Sequence, residues 1–346
     1  MKNFTLVLSL MCLLSLESSS SARTTKSGYE VIKKIYLPGE TWWDYPSIDP
    51  STGRLFVSRG TMVQVVDVNT GKLVGVIPNT DGVHGIALAE DLDKGFVSDG
   101  ADSSVTVFNL KTLKVIAKIP VTGRDPDAIL YDPFTHRVFT CNGETSNSTV
   151  IDAKTDKVIG TIKLTGRPEF SATDGKGRIY INIEDKSLID EINPETMKIM
   201  NVWPLSPGEH PSGLAIDPMH HVLFPVCHNK LMVVVNALDG KVIAALPIGG
   251  RVDGAAYDPV LQRVYSSNGE GTLTIVQREK NGSYRVMEDL PTQPGARTIA
   301  LDTKTHRLFL PTAKFGPRPK PTAANPHAFP KMIKNSFVVL EVAPVK

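Results

Sequence analysis

Asp44, His84, Asp127, Glu169, Ser212, Asp253 and Arg297 open seven related segments of this 346-residue sequence, and successive openings lie 40, 43, 42, 43, 41 and 44 residues apart. A purely structural position tends to keep one residue type through a set of repeats. This one holds four carboxylates, an imidazole, a guanidinium and a hydroxyl. Carboxylates brought together raise one another's proton affinity and invite a cation. A histidine among them suits a divalent metal ion held by nitrogen and oxygen ligands, or a general acid–base pair. His84, Asp127 and Glu169 are therefore the candidate metal ligands. Asp44, Asp253 and Arg297 extend them into a candidate ligand-binding ring, with Arg297 between the two aspartates once the ring closes.

The elements that must position these residues are strands. Each segment reads as a short apolar strand, a turn that is most often Asp-Pro, and a second strand centred on an aromatic residue. Examples are DYPSIDPSTGRLFVSRG from Asp44, DAILYDPFTHRVFTCNG from Asp127 and DGAAYDPVLQRVYSSNG from Asp253. In six copies the aromatic stands 12 residues after the opening (Phe56, Phe96, Phe139, Phe224, Tyr265 and Phe309), and in the fourth Tyr180 comes one residue sooner. Two further strands follow around a turn of the form Asx-x-x-Thr-x-Lys, as at Asp67, Asn109, Asp152 and Asn193. An Asx residue bonds its own backbone two residues on, so these side chains have a structural task. Four strands per repeat of about 40 residues, repeated seven times, predict an all-β, seven-bladed β-propeller with four-stranded blades. EVIKKIYLPG (30–39) matches KVIAKIPVTG (114–123) and KVIGTIKLTG (157–166). The N-terminal strand is thus expected to join the last blade and close the ring, with residues 29–346 forming one propeller. Closure leaves no unpaired sheet edge, which suits a monomer.

In a propeller, the start of each innermost strand and the end of each second strand lie on one face around the central channel. Asn142, Glu184 and Asn268 therefore join the candidate ligand-binding set, near Arg59, Asp99, Asn182, Cys227 and His228. Asn142-Gly143 and Asn268-Gly269 are also turn dipeptides, because Asn and Gly tolerate positive φ. Trp43, with Trp42, precedes Asp44 and offers an aromatic wall for a planar ligand. The stretch 313–335 is the longest loop, carries five prolines and is basic through Lys314, Arg318, Lys320, Lys331 and Lys334. Its place between the second and third strands of the last blade predicts a lid over the channel mouth. An interaction arm or a disordered loop is the alternative.

Formal net charge is only +2, which argues against a dedicated duplex-binding surface. Mean hydropathy is −0.07, and no apolar run of spanning length follows the N-terminus, so stable membrane insertion is not expected. Lys2, the apolar stretch 4–16 and the small residues Ser20-Ser21-Ala22 form the pattern of a cleavable signal peptide over 1–22, with a short leader over 23–28. Cys12 follows Met11, a poor fit to a lipoprotein cleavage box. The expected destination is export, to the periplasm or the medium. Cys141 and Cys227 end the same strand type in different repeats and read as buried free thiols.

VFTCNG (138–143), VYSSNG (264–269), LFVSRG (55–60) and TVIDAKTDKVIGTI (149–162) resemble the YVTN repeat of YncE-like β-propellers. The resemblance spans essentially the whole chain after the N-terminal segment and implies the seven-bladed fold. It also implies kinship with proteins linked to tetrapyrrole handling, while other seven-bladed propellers act as lactonases or lyases. No GxSxG, HExxH, metal-spaced cysteine pair or phosphate-binding glycine loop selects an activity. The leading expectation is a non-catalytic binding or scaffold protein that takes a small molecule or metal ion at an acidic channel mouth. One alternative is an enzyme of lactonase, lyase or metal-dependent hydrolase type using the His84-Asp127-Glu169 arc. Another is single-stranded nucleic-acid or protein binding through the basic loop, with Phe315 or Phe329 stacking beside lysines.

Overall fold

The computed structural model describes residues 26–322 and 330–345. The expected signal peptide, the first half of the leader and the centre of the long loop, including Phe329, lie outside the described residues. Regular structure among the described residues is strand, apart from two three-residue 3-10 turns at Glu90–Leu92 and Glu184–Lys186. The strands form seven antiparallel sheets of four. The third blade is representative, with strands Pro126–Asp132, Arg137–Asn142, Asn147–Asp152 and Lys157–Lys163 from the channel outward.

The ring closes as the sequence predicts. The last blade takes Ala300–Asp302, Arg307–Thr312 and Val338–Pro344 from the end of the chain and Tyr29–Tyr36 from its beginning. Tyr29–Tyr36 pairs antiparallel along the whole of Val338–Pro344. The Tyr29 hydroxyl donates to the His306 carbonyl at 2.9 Å and accepts from the Tyr265 hydroxyl at 2.8 Å, tying the closing strand to the sixth blade.

The hydrophobic core lies between neighbouring blades. Phe56, Val63 and Val65 of the first blade meet Val83, Val97 and Phe108 of the second, and similar clusters recur around the ring. The seven second-strand aromatics are all buried, each contributing roughly 1.5–3 kcal/mol by leaving water. Asx turns hold the outer hairpins: Asp67 Oδ1 accepts from the backbone N–H groups of Asn69 and Thr70, and Asp152 accepts from those of Lys154 and Thr155. On the face away from the ring, several Asp-Pro aspartates accept from the next blade. Thr173 donates to Asp132 at 2.7 Å, and Tyr257 donates to Asp217 at 2.6 Å. Both Cys141 and Cys227 are buried and unpaired, and burial pushes their thiols up, Cys227 to about 12.

Candidate functional site

The ring residues owe their aim to a local irregularity in the inner strands. Register with the second strand slips between Val83 and Ile86, Pro126 and Ile129, Pro168 and Ser171, Pro211 and Leu214, and Val252 and Gly254. His84, Asp127, Glu169, Ser212 and Asp253 sit inside these slips. A bulge adds a residue on one strand and redirects its side chain. Asp44 and Arg297 stand just ahead of their strands, Pro46–Asp49 and Ala300–Asp302. Bonds between blades fix the spacing. Ser98 donates to the Asp127 carbonyl, Ser267 donates to the Arg297 carbonyl at 2.5 Å, and Thr298 donates to the Asp44 carbonyl at 2.8 Å.

His84 is the hub of one arc. Its Nδ1 lies 2.8 Å from Asp44 Oδ2 and 3.5 Å from Asp127 Oδ1, while Nε2 lies 3.8 Å from Asp125. Ligand atoms of Asp44, His84 and Asp127 all fall within 4.8 Å of one another. Neighbouring ligands of an ion bound at about 2.0–2.2 Å stand roughly 3–3.6 Å apart, so the trio would have to draw in to share one. Glu169 is outside that trio and lines a larger cavity instead. Arg297 completes the other arc, pairing with Asp253 and reaching Asp44 Oδ1 at 3.3 Å, while Ser212 donates to Asp253 at 2.6 Å.

Electrostatics divides the carboxylates into paired and unpaired groups. Burial, then the charges of Asp44, Asp253 and Asp125, hold the Asp127 carboxyl well above the ordinary carboxylate range. Burial and the charges of Asp127, Asp253 and Glu184 do the same to Glu169. Burial also raises Asp253, although Arg297 pulls it back. For His84, burial favours the neutral ring, but the hydrogen bond to Asp44 and the charges of Asp44 and Asp125 outweigh it and raise the imidazole above 6.5. Asp127 Oδ1 is buried without a hydrogen-bond partner, and Glu169 accepts no hydrogen bond among the described residues.

Tyr45 is a member that the sequence reading missed. It is 7% exposed, and its ring packs edge-on against Phe170 with centroids 5.0 Å apart. These residues belong to the first and fourth blades, so their side chains meet across the channel. Burial and the surrounding charges of Asp253, Asp127, Glu169 and Asp44 push its phenol far up. The sequence did carry a signal. The residue after each opening is Tyr45, Gly85, Ala128, Phe170, Gly213, Gly254 or Thr298, so two aromatics interrupt a run of small residues. Small residues are needed where the next blade approaches: a Cβ at Gly213 would stand 2.7 Å from the Asp253 carbonyl oxygen.

A cavity of about 1650 Å³ opens over the ring, lined by Glu169, Asp253 and Arg297 below and by Phe315, Met332 and Ile333 of the long loop. The loop folds back on itself through a bridge between Phe315 and Met332. Trp42, 44% exposed, lies edge-on to His84 at 5.1 Å and lines this cavity and a neighbouring one of about 860 Å³. Trp43 touches the cavity but is largely a packing residue, 6% exposed between Phe315 and Phe337. Arg59 is 1% exposed, with its guanidinium 3.4 Å from the centre of the Phe337 ring and a bond to the Gly39 carbonyl; burial lowers it to about 10. It fastens the segment leading from the closing strand into the first blade.

The second-strand ends are placed differently from the ring. Asn142 Nδ2 donates to Asn147 and Thr149, and its Oδ1 accepts from Thr140. Asn268 makes the equivalent bonds to Thr272, Thr274 and Ser266. Both amides are wholly buried inside their own blades. The expected second layer of channel ligands is, at these two positions, blade-internal scaffolding, because both asparagines turn toward the third strand of their own blade. Glu184 pairs with Arg167 and stands 3.7 Å from His228, at the rim.

No protein-family model matches the chain, and no curated protein matches its sequence. Its architecture is similar to that of solved β-propeller structures. A chain of Kuenenia stuttgartiensis hydrazine synthase aligns over 79% of this chain and 94% of its own length, with TM-score 0.70 and 17% identity. The structure of U3-55K aligns over 90% and 98%, with TM-score 0.74 and 8% identity. A chain of the mitotic checkpoint complex aligns over 90% and 96%, with TM-score 0.71 and 13% identity. Identities this low establish the shared seven-bladed fold alone.

Proposed function

We propose that this chain is an exported, monomeric propeller of the YncE-like, YVTN-repeat kind that captures a small cation, organic or metallic, at its channel mouth without breaking a bond. The observation that carries the proposal is the convergence of Asp44, His84 and Asp127 within 4.8 Å, beside Glu169 and Asp253, which line a cavity of about 1650 Å³. Within the ring four carboxylates face Arg297 and His84, while the cavity wall above adds Arg251, Lys314 and Arg318 beside Glu40. Arg297 serves Asp253 and Asp44, while His84 bonds Asp44 and lies 3.5 Å from Asp127, so Asp127 has only a shared imidazole and Glu169 has no ion pair among the described residues. A bound cation would relieve the repulsion that raises their proton affinity. The long loop 313–335 acts as a lid, a role supported by Phe315, Met332 and Ile333 on the cavity wall. Export rests on the sequence pattern of residues 1–22, and a binding role suits a fold that gathers side chains from many blades at one mouth.

Thermal unfolding with a panel of divalent ions, organic ammonium ions, neutral analogues and carboxylates tests the proposal. Cations are expected to raise the melting temperature, corresponding to about 2.7 kcal/mol at a hundredfold excess over Kd. Asp127→Asn/Glu169→Gln is expected to abolish the response. A panel in which no cation stabilises the protein would overturn the proposal.

A further inference from the structure

Resting on that reading of the mouth as a cation site, we infer that the cavity takes a primary amine carried on a flat apolar body. Glu169 lines the cavity, and the Asp127 carboxyl and the Tyr45 phenol stand within electrostatic reach of it at the channel. Glu169 accepts no hydrogen bond among the described residues, and Asp127 Oδ1 is buried and unpartnered. The Tyr45 hydroxyl belongs to a side chain only 7% exposed and has no hydrogen-bond partner among the described residues, while its phenol feels the charges of Asp127, Glu169, Asp253 and Asp44. The unpaired, buried Asp127 oxygen is costly to leave without a donor, and a primary ammonium supplies three donors for it and for the open Glu169 and Tyr45 oxygens.

The other ring groups satisfy one another. His84 and Asp44 are bonded at 2.8 Å, Arg297 spans Asp44 and Asp253, and Ser212 fills a further Asp253 acceptor. A metal ion would have to displace the His84–Asp44 contact and would leave most of the cavity empty. An amine does neither. Its charged end meets the free oxygens, and its body has apolar partners in Trp42, Val252, Pro294, Phe315, Met332 and Ile333. Trp42 also offers an exposed indole face to a cation.

Calorimetric titration with 2-phenylethylamine, its trimethylammonium derivative, 2-phenylethanol, 3-phenylpropionate and zinc separates the possibilities. The primary amine is expected to bind, with affinity lowered about tenfold or more in Glu169→Gln and also lowered in Trp42→Ala and Tyr45→Phe, since bonds to charged groups contribute about 1.5–3 kcal/mol. The alcohol and the acid are expected not to bind, and the trimethyl derivative to bind more weakly because it has no donors. Unfolding curves of the variants check that the fold is intact; Tyr45→Phe keeps the packing on Phe170. Equal affinity for the trimethyl derivative, or binding of zinc without the amine, overturns the amine assignment while leaving the cation site standing. Failure of every cation overturns both.

Discussion

Asp99 occupies the blade-two position that Asn142 and Asn268 fill in blades three and six, and the difference has a measurable consequence. The asparagines donate to Thr149 and Thr274, whereas Asp99 accepts from Thr106 and Ser104 and leaves Oδ1 buried without a partner. Burial pushes its carboxyl up to about 7, against the bonds from Thr106 and Ser104 and the charge of Lys118. Because the folded value lies above the unfolded one near 4, the folded state holds the proton more tightly and loses stability as pH rises from about 4 to about 7. Asp99→Asn rebuilds the amide network and is expected to stabilise the protein at pH 8 by up to about 4 kcal/mol, with little gain at pH 4. Denaturant unfolding at the two pH values checks this. His84 works with the same sign in a higher pH window. Its raised value contributes stability in full below about 6.5, lost as pH rises through the folded value, and His84→Gln is expected to remove that slope. The acidic ring was legible because it breaks the uniformity of a repeated position. The roles of Asn142 and Asn268 were not, because facing the third strand rather than the channel is decided by the pleat at the strand end, which residue type does not reveal.

At the scale of elements, the inner strands do two jobs that pull against each other. Their bulges turn the ring residues toward the channel, while their backbones must let the next blade approach. Gly213 shows how close that approach is, since an added Cβ would stand 2.7 Å from the Asp253 carbonyl oxygen and 2.8 Å from the Ala255 nitrogen, neither of which can swing away. Gly213→Ala is therefore expected to cost about 1–3 kcal/mol and to weaken cation binding through the displaced Asp253, read by unfolding and calorimetry on the same sample. Strand identity, turn chemistry and blade count were all legible from a period near 40 residues with its aromatic and Asx markers. The Tyr45–Phe170 contact was signalled only by two aromatics among small residues. Their meeting across the channel depends on the three-blade offset between them, a property of the closed ring rather than of either strand.

For the whole molecule, closure is the feature on which the site depends. The strand Tyr29–Tyr36 covers Val338–Pro344, and the segment after it is fastened by Arg59 and carries Trp42, Trp43 and Asp44 into the mouth. Deleting residues 26–36 would expose the edge of the last blade, where Val338, Leu340 and Val342 are buried. The truncated protein is expected to melt at a lower temperature and to self-associate, with a synthetic peptide of residues 28–37 reversing both effects in light scattering. The neighbouring solved structures share this ring at identities of 17% or less, so the ring itself carries no activity with it. The charges stand at the mouth of this ring, with Asp127 raised by burial and by Asp44, Glu169 by burial and by Asp127, and His84 by Asp44. Capture of a cation there must discharge protons from those groups, because the bound charge favours their ionised forms and opposes imidazolium. Titrating a saturating cation at pH 6.5 in two buffers of different ionisation enthalpy measures this directly. Net release of protons on binding, lost in Asp127→Asn/Glu169→Gln, is the expected result. A binding enthalpy identical in both buffers, or binding unchanged in the double variant, would contradict a cation site built on this ring.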